Sequence, residues 1–368
     1  MLGWRQRAIA LGLGLIGATR LDRALRGFAR GHGMVLMLHS VRPVRDGPFR
    51  PNAALEVTPE FLGETLDVLT SVGFEFLPLD AVPDRLGRGA GSAPFAVVTF
   101  DDGYRDNRDH ALPVLRARKI PWTVFVTTEF AAGTGRVWWV ELERAVERLD
   151  EIRLPDPRGE IVLPARTPAQ KARAFTVLRA RARASTRPGL IADADRLVDA
   201  ARLDPRQILR DLCMDWDELT HLSIRPGVQI GAHALTHHAL ARLDSDEARR
   251  EIVRGRRILQ DRLGVPIRHL AYPYGDPGAA GPREFDLARR AGFRTAVTTR
   301  PGHLCAHHAG ALQALPRVSI NGHFQSAATV RALASGVPFI VTKPNPFRSS
   351  LGAKLWQRSS DNTYLGPS

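Results

Sequence analysis

Six short apolar runs recur along the chain, each followed by a loop or a helix-like segment: "MVLMLH" at 34–39, "FAVVTF" at 95–100, "TVFVTT" at 123–128, "VQIGAH" at 228–233, "HLAYPY" at 269–274 and "TAVTT" at 295–299. A further run, "LPRVSI", closes the series at 315–320. Short apolar runs between helix-like segments are the rhythm of a parallel sheet. The expected fold is therefore α/β, an open sheet or a (β/α) barrel, with functional groups gathered at the C-terminal ends of its strands. With 368 residues, 44% hydrophobic and 24% charged, the chain can bury one large core with an appended lobe.

The helices carry start and stop signals. Thr58 and Pro59 open one that closes at Gly73, and Asp244 with Glu247 opens a long one closed by Gly264. Pro282 opens another that ends at Gly292, and Asp215 caps one that begins at Trp216. From about 141 to 213 the rhythm breaks: a helix, then a polar turn "PDPRGE" between two β-prone runs, then helices rich in arginine and alanine. This reads as a helical insertion in a main domain over 31–325, followed by a loosely held tail over 326–368.

Residues 1–30 combine arginines with a run of about eleven apolar or small residues, too short to span a bilayer and followed by no A-x-A cleavage site. An amphipathic segment lying on the domain or on a membrane surface is expected. That places the protein in the cytoplasm or at the periphery of the cytoplasmic membrane rather than outside the cell. Gly12, Gly14 and Gly17 fit G-x-G-x-x-G, but no strand precedes them and no acidic residue follows at the ribose-binding distance. Of the 52 basic residues only four are lysine, and the arginines are spread along the chain. The net charge of +14 thus points to no nucleic-acid module, although contact with an acidic surface or polymer stays open. Cys213 and Cys305 suggest neither a disulfide framework nor a thiolate zinc site. Oligomeric state leaves no trace in the sequence.

The chemistry begins where "FAVVTF" ends on Asp101 and Asp102. Side chains alternate along a strand, so two neighbouring carboxylates share a direction only where the strand stops. Two such charges raise one another's pKa or demand a cation. "VQIGAHALTHHAL" supplies His233 at another strand end and His237 four residues later, a pair that can reach one ion if the chain turns or can be polar loop histidines. One Asp and two His make a three-ligand site with positions left for water and substrate, and the second Asp is then available as a general base. "AYPYGDP" at 271–277 sets Pro and Gly around Tyr274, a rigid turn that can present a backbone N–H to an oxyanion or serve as an ordinary loop. Trp138 and Trp139 offer a sugar-stacking face or a packing surface for a helix.

"TFDDG", H-x-x-x-H at 233–237 and "YPYG" stand in the order and approximate spacing of the polysaccharide deacetylases, the NodB-homology proteins of carbohydrate esterase family four, and "MLHSV" resembles the first strand of one branch. The resemblance runs from about 34 to 320. It implies a distorted (β/α) barrel of seven or eight units, a divalent metal, commonly zinc, and hydrolysis of N-acetyl groups on N-acetylglucosamine units of an oligo- or polysaccharide. By motif, Asp101 matches the base, Asp102, His233 and His237 the metal ligands, and the Tyr274 backbone N–H the oxyanion donor.

Two departures stand out. Ala271 occupies the place of the arginine that pairs with the family's base, a role Arg317 can fill from the last strand-like run. The L-x-H motif that brings the acid histidine has no counterpart; His323 in "INGHF" is the nearest candidate, with His303 and His39 behind it. These gaps motivate an alternative, a saccharide-binding protein on a deacetylase scaffold with little or no turnover. Magnesium and diphosphate binding by "DDGYRD" is disfavoured, because such motifs lie on helices and this one follows a strand.

Overall fold

The computed structural model describes residues 11–14, 29–88, 93–157, 159–185 and 187–342. Most of the amphipathic segment expected over 1–30, and the chain from 343 onward, lie outside the described residues. Seven parallel strands close into a barrel: β1 (Gly33–Leu38), β2 (Phe95–Phe100), β3 (Trp122–Val126), β4 (Val228–Ala232), β5 (His269–Ala271), β6 (Thr295–Pro301) and β7 (Leu315–Ser319). Around the ring the order is β1, β7, β6, β5, β4, β3, β2, and β1 pairs with β2 along its whole length to close it. The fold is the distorted (β/α) barrel that the strand rhythm and the resemblance imply.

Every residue of β1, β2 and β3 is buried, as expected of strands covered on both faces. Val35, Val97, Phe125, Ala271, Val297 and Leu315 meet in an inner cluster, while Leu36, Val98, Val124 and Leu270 join the larger layer between strands and helices. A Cβ on Gly231 would lie 2.4 Å from the Phe125 ring, so β4 leaves room for that ring inside the barrel. Helix α1 (Pro59–Ser71) is capped by the Thr58 hydroxyl, which accepts from the Phe61 N–H at 3.1 Å.

Between β3 and β4 the chain leaves the barrel. It forms α2 (Trp138–Arg148), an antiparallel hairpin of Glu151–Asp156 and Gly159–Pro164, then α3 (Pro168–Ala184), α4 (Arg187–Ala200), α5 (Pro205–Leu212) and α6 (Trp216–Ser223). All of these but α6 build a second apolar cluster with Tyr104 and Phe130 from the barrel loops, while Leu219 and Leu222 of α6 join the main core. Asp215 caps α6 in a full capping box with Glu218. The long α7 (Ser245–Leu263) ends at Gly264 in the left-handed region, and α8 (Pro282–Arg290) follows β5. The stretch from 326, read from sequence as a loose tail, instead opens with α9 (Ala327–Ser335). Ser326 caps this helix, and Val330 and Ala334 are buried in the core that α1 also lines.

Candidate active site

At the C-terminal mouth of the barrel, β2 resolves the problem of its two carboxylates by changing direction between them. Phe95, Val97, Thr99 and Asp101 share one face of the strand, and the Asp101 N–H donates to Leu38 O on β1 at 3.0 Å. Asp102 then takes φ +71°, a left-handed conformation uncommon outside Gly, Asn and Asp. Both carboxylates are about 97% buried.

Asp101 faces Arg317, which projects inward from β7. Its Nη1 and Nη2 donate to Oδ1 and Oδ2 at 2.7 Å each, a bidentate pair, while Nε donates to Thr298 O at 2.8 Å. Burial opposes ionisation of Asp101, but the charge and hydrogen bonds of Arg317 outweigh it and hold the carboxyl below its usual range. The carboxylate stays charged and keeps one lone-pair direction on each oxygen. The guanidinium missing from position 271 is thus present from another strand.

Asp102 faces His233 and His237. Their Nε2 atoms lie 3.4 and 3.2 Å from Asp102 Oδ1. His233 Nδ1 sits 2.7 Å from Ala271 O, so it carries the proton and donates, leaving the bare Nε2 pointing at an anionic oxygen. These approaches have ion-pair distance without hydrogen-bond geometry: Asp102 Oδ1 and His237 Nδ1 are buried and have no hydrogen-bond partner. Lone pairs directed at one another need a positive charge between them. Burial lowers the pKa of both histidines, but at His233 Asp102 and Asp101 outweigh it and raise the value, while at His237 burial prevails. One carboxylate and two imidazoles, all within 4.8 Å of one another, suit a zinc-like divalent cation.

The loop carrying His237 is held from outside the barrel. Ala234 and His237 both have positive φ, and Glu251 of α7 accepts from the Leu235 and Thr236 N–H groups and the Thr236 hydroxyl. The His237 ring is boxed by Phe130, Trp139 and Tyr274 at 5.6, 5.0 and 4.9 Å between centroids. Trp138 Nε1 donates to the Tyr274 hydroxyl and Trp139 Nε1 to the Tyr104 hydroxyl, each at 3.0 Å. Both tryptophans are 7% exposed, so they pack and position rather than offer a stacking face to a sugar. Tyr274 has φ +61°, and its carbonyl accepts from the Thr299 hydroxyl at 2.6 Å.

His323 is not in this cluster. It sits on the loop after β7, half-buried, its N–H bonded to Asn321 Oδ1 and its ring edge-on to Phe324. His303 is engaged elsewhere, with Gly31 N–H and Leu333 O. The histidine brought to the mouth is His39, directly after β1, with Nε2 3.9 Å from Asp101 Oδ2. Burial lowers its pKa against the pull of Asp101 and Asp102. Its backbone is clamped: Asn107 Nδ2 donates to His39 O at 2.7 Å, and Asp106 binds the Ser40 hydroxyl and, at 3.1 Å, the Val41 N–H.

A family model described as polysaccharide deacetylase matches residues 88–154 and 190–296. Among solved structures, a Streptococcus pyogenes deacetylase, PplD, in complex with acetate aligns with TM-score 0.52 at 17% identity, over 78% of this chain and 92% of that one. IcaB from Ammonifex degensii aligns with TM-score 0.51 at 20% identity, over 82% and 97%. No curated protein sequence matches significantly. The matched family model makes residues 88–154 and 190–296 those of a polysaccharide deacetylase domain, on a barrel fold shared with these structures.

Proposed function

We propose that this protein hydrolyses N-acetyl groups from N-acetylglucosamine units of an oligo- or polysaccharide, releasing acetate, with a divalent cation, zinc in the first instance, held by Asp102, His233 and His237. The observation that carries the reading is the pair of unlike aspartates: one locked to Arg317, the other converging with two imidazoles on a buried oxygen that lacks a hydrogen-bond partner. A cation held there supplies Lewis acidity towards water and the amide carbonyl. Asp101, kept ionised by Arg317, accepts the proton of the attacking water through its remaining lone pairs. Arg317 fixes the plane of that carboxylate, so the base does not swing as it titrates. The Tyr274 backbone N–H, set at the mouth by a left-handed turn, is the donor for the developing oxyanion. His39, with Nε2 3.9 Å from Asp101 Oδ2, takes the role of proton donor to the leaving amine in place of His323.

Acetate release by metal-stripped protein, with and without zinc, over chito-oligosaccharides, peptidoglycan fragments and poly-N-acetylglucosamine tests the proposal. Zinc-dependent release is the expected result and ranks the substrates. Stoichiometric zinc uptake with no release from any of them would overturn it in favour of saccharide binding without turnover.

A further inference from the structure

The loop between β6 and β7 turns back down the barrel. Leu304 forms an antiparallel bridge to Gly33, the first residue of β1, with Leu304 N–H to Gly33 O and His32 N–H to Leu304 O both at 2.7 Å. His39 lies just past the other end of β1. Six residues at about 3.3 Å each separate the two ends, roughly 20 Å. Directly after Leu304 come Cys305 and a 3-10 turn, Ala306–Gly310, that carries His307 and His308.

We propose that Cys305, His307 and His308 form a second metal site, taking a zinc-like divalent ion, at the end of the barrel opposite the catalytic cleft. One donor atom from each lies within 4.8 Å of the other two, and Cys305 is in no disulfide. A thiolate with two imidazoles is a soft, tetrahedral-seeking set that favours zinc or cobalt over magnesium or calcium. The turn is already built. The His308 N–H donates to Cys305 O at 3.0 Å, the Ala311 N–H to His308 O at 3.0 Å, and the two imidazole rings lie 4.0 Å apart at 35°. His308 Nδ1 accepts from the Cys305 N–H at 2.9 Å and lies 3.2 Å from the Cys305 carbonyl. Ligation through Nε2 moves the ring proton to Nδ1, which exchanges the bond accepted from the Cys305 N–H for one donated to the Cys305 carbonyl. Binding releases the Cys305 thiol proton to solvent and leaves the sulfur as thiolate. His307 is exposed and the other two residues are partly exposed, so an ion can enter and a water can complete the set.

Cobalt(II) distinguishes the two sites, since a thiolate ligand gives a near-ultraviolet sulfur-to-cobalt band and the Asp102 cluster contains no sulfur. Titration of the metal-stripped protein is expected to give two cobalt ions per chain and the band. Cys305→Ser is expected to bind one and lose the band entirely, with acetate release unchanged. Asp102→Ala is expected to bind one and keep it. The buried Cys213, whose thiol is pushed well up by burial, serves as the internal control. Wild-type protein without the band at saturating cobalt, or a band that survives Cys305→Ser, would overturn the second site. A single cobalt per wild-type chain that carries the band would sustain it and count instead against the catalytic cluster.

Discussion

The two ends of the barrel use the same residue types to opposite ends. At the N-terminal end, His269 of β5 places Nε2 3.1 Å from Asp80 Oδ1 and Nδ1 2.8 Å from the Thr295 hydroxyl of β6. Gln229 and Arg268 donate to Asp80 Oδ2 at 2.8 and 2.9 Å. Both His269 nitrogens and both Asp80 oxygens have a partner, and the group ties four elements together. At the C-terminal end, Asp102 and its two histidines leave Asp102 Oδ1 and His237 Nδ1 without hydrogen bonds among the described residues, and Asp102, Ala234, His237 and Tyr274 all have positive φ. A closed Asp–His network is finished structure; an open one asks for a ligand.

Substitutions at the two ends should separate accordingly. Asp102→Ala has the largest expected effect: loss of bound metal and of turnover to background, read by metal analysis and acetate release. Asp101→Asn should keep the metal and lose about 10²–10⁴-fold in kcat, while His39→Gln should lose about 10²-fold and flatten the alkaline limb of the pH profile. That sign follows from a proton donor that fails as pH rises through its pKa. Equal metal loss in Asp101→Asn and Asp102→Ala would break the division of labour between the aspartates. Arg317→Lys gives up the bidentate geometry and should cost about tenfold in kcat together with about 1–3 kcal/mol of stability, measured by denaturant unfolding.

The smallest kinetic effect belongs to the other end. His269→Ala should leave kcat unchanged while costing about 2–4 kcal/mol through a cavity and two lost hydrogen bonds. Hydrogen bonding to His269 is the largest influence on Asp80 and holds its carboxyl well below the usual range. The stability this gives is fully present above the ordinary carboxylate value, about 3.9, and is lost as pH falls below it. The variant should therefore show a shallower acid-unfolding dependence than wild type. A matching drop in kcat would mean that the two ends are coupled.

The strand runs were legible because buried parallel strands leave unbroken apolar stretches, and "FDD" and "GAH" were legible as polar residues at the ends of such stretches. "MLHS" carries the same signal at His39, yet the choice among histidines turns on which strands are neighbours. β1 pairs with β2, which carries Asp101, and that adjacency is a matter of closure rather than of local sequence. Arg317 was findable by the opposite sign, a guanidinium inside an apolar strand that must have a carboxylate to face. Packing was the commoner of the two readings for Trp138 and Trp139 and is the one found, but its partner, the ring of His237, was not legible from a pair of tryptophans at a helix start. His269 gave no warning either, because its partners come from strand starts and from a 3-10 turn far away in sequence.

Because β1 lies between β2 and β7, the first strand synthesised is completed by the last. Arg317 leaves the ribosome more than two hundred residues after Asp101, so a nascent chain carries that carboxylate without its guanidinium for most of its translation. Until β7 arrives, the sheet has two open edges and the Asp101 pocket an unbalanced charge. A chain released before about residue 320 is therefore a ring with a missing segment, open to edge pairing, and only a chain extended through β7 acquires both closure and a guanidinium for Asp101.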